Sequence, residues 1–97
     1  MTLELLEVAP VSEERYRLTL KVNGRKSRSV VSYQEEMFPL LIVDSGDPLR
    51  PLLINNPRAS QPIIEAIQAL RAGRILTLPV ALPVWNEETA QDEAIAA

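Results

Sequence analysis

The chain has 97 residues, no cysteine, no histidine and a formal net charge of −3. A length of this order suits one domain that covers roughly 60–70% of its unfolded surface without covalent help. The missing residue types exclude a disulfide framework, a thiolate or imidazole metal site, a cysteine nucleophile and the commonest general base.

The opening Met1-Thr2-Leu3-Glu4 has no basic stretch leading into an apolar one, so no signal peptide is expected. Its apolar runs fall far short of the ~20 residues needed to cross a bilayer. A cytoplasmic protein with no cofactor and no membrane contact is expected. The charge is unevenly spread. Asn86 to Ala97 hold Glu87, Glu88, Asp92 and Glu93 and no base, while six of the ten basic residues fall between Arg15 and Arg28. The acidic balance argues against a bulk nucleic-acid binder and leaves room for a local basic patch.

Leu3 to Val8 reads as a short strand, with Pro10 and Ser12-Glu13-Glu14 as the turn that follows. Its nearly continuous apolar residues leave its facing open, and either Glu4 or Glu7 can sit beside a basic neighbour. Residues 15–34 then read as a β-hairpin, because Asn23-Gly24 suits a type I′ turn whose two central residues need positive φ. A two-residue turn there sets Val22 opposite Arg25, Lys21 opposite Lys26, and so on out to Arg15 opposite Ser32. Opposite residues share a face and faces alternate along a strand. Tyr16, Leu18, Leu20, Val22, Ser29 and Val31 therefore lie on one face, and Arg15, Arg17, Lys21, Lys26 and Arg28 on the other.

Met37 to Val43 is strongly apolar. Pro39 weakens a central-strand reading, but Leu40-Leu41-Ile42-Val43 is long enough for a buried strand. Asp44 to Pro48 is a turn, and Leu52-Leu53-Ile54 reads as another short strand closed by Asn55-Asn56-Pro57. The spacing of Ile63, Ile67 and Leu70 predicts a core-facing helix over 61–72, with Ser60 as N-cap, Pro62 in the first turn and Gly73 just past the end. Ile75 to Val80 reads as a last strand, confined by Pro79 and Pro83 to a sheet edge. The sole tryptophan, Trp85, follows it.

The expected fold is a small α+β domain over residues 1–85. It has a mainly antiparallel sheet with an N-terminal meander, one amphipathic helix on one face and a C-terminal edge strand. Residues 86–97 are expected to form a disordered acidic tail.

Three motifs invite chemistry and fall short. Gly24-Arg25-Lys26-Ser27 ends like a phosphate-binding loop, but Thr19 stands where the first glycine belongs, and the lysine lies in a strand. Asp44 and Asp47 flank Gly46 without the patterned ligand set of a calcium loop, so a turn held by side-chain–backbone bonds is expected. Glu13-Glu14 and Glu35-Glu36 are adjacent pairs, which point to opposite faces of a strand and form no ready dyad. No enzyme and no catalytic residue is expected.

The expected function is a non-catalytic protein–protein interaction or adaptor module that self-associates. Two surfaces are candidates. One is the basic hairpin face of Arg15, Arg17, Lys21, Lys26 and Arg28, for an anion or a partner. The other is the apolar terminal segment, with Leu78, Val80, Leu82 and Trp85 as docking residues for a protein partner or a second copy. The alternative is a nucleic-acid-binding regulator that uses the basic face.

Overall fold

A computed structural model describes residues 2–84; Trp85 and the expected acidic tail lie outside the described residues. The fold is the expected small α+β type. Five antiparallel strands run β1 (Leu3–Pro10), β2 (Arg15–Val22), β3 (Arg25–Gln34), β4 (Leu40–Val43) and β5 (Val80–Ala81). Their order in the sheet is β4-β3-β2-β1-β5, a meander closed on its far side by the last strand. Two helices, α1 (Leu49–Asn55) and α2 (Ser60–Arg71), lie between β4 and β5 in the chain.

The hairpin has the register set by its turn. Asn23 and Gly24 sit at φ +50° and +83°, and the pairs run without a slip from Val22–Arg25 to Arg15–Ser32. Asn23 also ties down the start of the chain. Its Oδ1 accepts from Thr2 N at 3.0 Å, and its N–H donates to Thr2 O at 2.9 Å.

The open facing of β1 is resolved by a β-bulge. The register against β2 shifts between Leu5 and Glu7. Leu3, Leu5 and Val8 are therefore all buried, although Leu5 and Val8 are three residues apart. A regular strand would turn one of them outward.

The core lies between the sheet's inner face and the helices. Leu3, Leu5, Tyr16, Leu18, Leu20, Val31 and Tyr33 meet Leu49, Leu53, Ile63 and Ile67 there. Each such apolar side chain contributes roughly 1.5–3 kcal/mol by leaving water. Ser29 shares this face and is buried. Its Oγ donates to Asp47 Oδ1 at 2.8 Å, and the same oxygen accepts from Leu49 N at 2.8 Å. Asp47 thus starts α1 and ties it to β3.

Three expectations are corrected. Leu52–Ile54 belongs to α1, not to a strand. Leu49 and Leu53, four apart, are both buried, and Pro51 falls in the first turn, where a missing donor costs nothing. Ser60 is not the N-cap of α2. A 3-10 turn over Pro57–Ala59 runs straight into the helix, and Ala59 takes the cap position with no side-chain bond. That turn already satisfies early donors, with Ala59 N bonded to Asn56 O and Ser60 N to Pro57 O. The last strand is Val80–Ala81, paired with Leu5 and Glu4, and shares only Val80 with the expected Ile75–Val80. Pro79 and Pro83 bracket it and offer no N–H to lengthen the ladder.

The C-terminus of α2 follows the glycine reading. Gly73 has φ +73°, with Gly73 N bonded to Leu70 O and Arg74 N to Ala69 O. This is a Schellman arrangement. Just before it, Arg71 Nη1 donates to Tyr16 Oη at 3.2 Å and to Glu13 O at 3.1 Å. Its guanidinium carbon lies 5.4 Å from the Tyr33 ring centre. The end of the helix is clasped to the sheet at the β1–β2 turn.

Candidate functional site

The inner face of the sheet is occupied by core, so the outer face and the two edges carry what the molecule offers to others. On the outer face, β2 contributes Arg15, Arg17, Thr19 and Lys21, and β3 contributes Lys26, Arg28, Val30 and Ser32. The five cations singled out from the sequence are all exposed. None of the five is in an ion pair among the described residues. Lys21 and Lys26 are direct cross-strand partners. Like charges so placed destabilise a sheet unless solvent or an anion attends them.

Both acids of β1 reach this face. Glu4 is opposite Lys21, and Glu7 is opposite Thr19, whose other neighbour is Arg28. The bulge makes this possible, since residues three apart on a regular strand point to opposite faces. The face therefore reads as five cations with two carboxylates along one side.

The aromatic side chains of the hairpin are not part of it. Tyr16 and Tyr33 are buried on the opposite face, so neither can stack on a base. Burial pushes the Tyr33 phenol above its ordinary value, an effect that nearby Gln68 partly offsets. Its Oη is buried with no hydrogen-bond partner.

At the β5 edge, the apolar residues named from the sequence turn inward. Leu82 is buried in the core, and Leu78 and Val80 pack against the same cluster. Pro79, Ala81 and Pro83 are exposed along this edge, and upstream of it Thr77 and Ile75 are exposed as well, Ile75 by 96%. Trp85 lies outside the described residues. The structure does not bring this segment together with the basic cations; Ala81 is paired with Glu4 of β1, which lies between it and Lys21.

Sequence reasoning missed the other edge. Met37, Phe38, Leu40, Ile42 and Ile54 are large apolar side chains left in contact with solvent. Beside β4 an open groove of about 350 Å³ is lined by Leu41, Ile42 and Val43 of the strand and by Arg50, Leu53, Ile54 and Ser60 of the helices. The signal was present in Leu40-Leu41-Ile42-Val43, which is apolar on both faces, but the position of that strand in the sheet was not. Among the described residues no group of three or more acids is placed to hold a metal ion, and no helix is long and apolar enough to cross a membrane.

A scan against protein-family models gave no match, and a comparison with curated protein sequences gave none either.

Proposed function

We propose that the protein is a small, non-catalytic interaction module whose outer sheet face receives an acidic surface of a protein partner. The observation that carries this reading is the exposed Lys21–Lys26 pair at the turn end of the cationic face. A cross-strand pair of like charges is a standing cost that an anionic partner removes. Glu4 and Glu7 on the same face favour a protein over a nucleic acid. Discrete carboxylates on a partner can be arranged around them, whereas a continuous run of phosphates meets them as repulsion. The inward-turned tyrosines support the same preference, because single-stranded recognition relies on exposed aromatic platforms.

The test is fluorescence anisotropy of the full chain against labelled poly-glutamate and, separately, a mixed-sequence DNA duplex of equal charge. The expected result is binding to poly-glutamate that weakens with salt, since screening shortens the reach of exposed charges. The double variant K21E/K26E should abolish that binding. Tighter binding to the duplex, with a steep salt dependence, would replace this reading with the nucleic-acid regulator. Binding unchanged in K21E/K26E would remove the face from consideration.

A further inference from the structure

The residue pattern of β4 conflicts with its place in the sheet. Half-covered strands ordinarily alternate apolar with polar residues, as β2 does. β4 alternates in burial but not in polarity: it reads Leu40-Leu41-Ile42-Val43, with Leu40 and Ile42 exposed, and it is an edge strand. Edge strands are ordinarily blunted by charge, proline, bulges or brevity. The β5 edge has two residues between prolines. The β4 edge has four residues with neither charge nor proline among them.

We infer that β4 is the interior strand of a homodimer, paired antiparallel with β4 of a second copy so that two five-stranded sheets become one of ten strands. Three observations select a second copy as the occupant. First, the site asks for a strand that is apolar on both sides. One side of an added strand faces the groove that β4 and α1 line with mainly apolar side chains, beside Arg50 and Ser60, and the other lies beside exposed Leu40 and Ile42. β4 itself is such a strand. Second, residues 37–43 carry no charge, so a two-fold axis there brings no like charges into register. The cationic outer face cannot meet itself in this way.

Third, the exposed area is of the order a stable interface needs. A stable interface takes about a tenth of a small protein's surface per partner, here roughly 670 of 6694 Å². Met37, Phe38, Leu40, Ile42 and Ile54 are 92%, 65%, 42%, 39% and 65% exposed, which at about 200 Å² per large side chain is roughly 600 Å². The unpaired backbone of β4 adds to it.

Antiparallel edge pairing has its two-fold axis normal to the sheet. Both pairs of helices then lie on one side and both cationic faces on the other, so the dimer would present a doubled basic surface. The pairing itself does not depend on what that surface binds.

Light-scattering mass on a size-exclusion column, with the full chain from micromolar to millimolar concentration, tests the inference. The expected mass is twice the chain's 10.8 kDa. Ile42→Lys should halve it, as should Leu40→Lys. Both positions face outward, where a lysine stem can lie along the surface with its charge in water. Far-UV circular dichroism identifies any variant that fails to fold, and the remaining one then decides. Ala81→Lys at the opposite edge should leave the dimer intact. A wild-type mass of 10.8 kDa at the highest concentration would overturn the inference. So would a dimer that survives in a folded Ile42→Lys or Leu40→Lys variant, which would place the contact elsewhere.

Discussion

At one edge of the sheet β5 is two residues held between Pro79 and Pro83, with Leu82 buried beside them. At the other edge β4 is four apolar residues, two of them facing outward and exposed. The β5 edge is anchored by apolar burial: Leu3, Leu5 and Leu82 are all sealed, and Leu82 N donates to Leu3 O at 2.8 Å. Towards the β4 side, Leu41 and Val43 are only partly buried against the core, and Asp47 adds a polar link between Ser29 of β3 and Leu49 of α1. The lesson is that one sheet can close itself at one side while leaving the other as a surface, and that the two sides answer differently to substitution.

The largest effect is expected at the closed edge. Leu82→Ala removes a buried side chain from under β5 and should lower unfolding free energy by about 2–5 kcal/mol, measured from the urea midpoint at constant slope. A loss below 1 kcal/mol would mean that burial does not anchor this edge. On the β4 side, Asp47→Ala strips Leu49 N of its acceptor and leaves the Ser29 hydroxyl buried without one. A cost of about 1–3 kcal/mol is expected, and Ser29→Ala in the same background should recover part of it.

A smaller effect separates backbone conformation from packing at the hairpin tip. A Cβ at Gly24 meets no atom within 4 Å, yet φ is +83°. Gly24→Ala should therefore cost about 1–2 kcal/mol by conformation alone, read as a lowered melting temperature with unchanged circular dichroism. The smallest effect is at Tyr33, which pairs with Leu41 of β4. Its hydroxyl is buried and unbonded, so Tyr33→Phe should change stability by no more than about 0.5 kcal/mol at neutral pH.

Tyr33 also predicts a pH dependence. Burial raises its pKa above the ordinary 10.0. The folded state therefore holds its proton where the unfolded state has lost it, and stability falls as pH climbs past about 10. Denaturant titrations between pH 8 and 11 should show a shallower fall in Tyr33→Phe than in the wild type. Equal slopes would assign the fall to other groups.

Much of this molecule is written locally. Asn23-Gly24 selects a turn with positive φ at both residues, and the period of two then assigns each hairpin side chain to a face, so both the cationic patch and its apolar reverse follow from short-range chemistry. The spacing of Ile63, Ile67 and Leu70, with Gly73 beyond them, determines α2 and its end in the same way.

Tertiary structure decided the rest, for particular reasons. A run as short as Leu52-Leu53-Ile54 suits a strand or a helix turn equally. Leu49–Asn55 became helical because Asp47, fixed by Ser29 on a distant strand, accepts the N–H of its first residue and because Leu49 and Leu53 both face the core. The bulge in β1 sets Glu4 and Glu7 on one face, and a bulge is defined only against a partner strand. The place of β4 at an edge depends on where β5 returns to the sheet. That long-range pairing, invisible in the residues of β4 themselves, leaves an uncharged apolar strand at the sheet boundary.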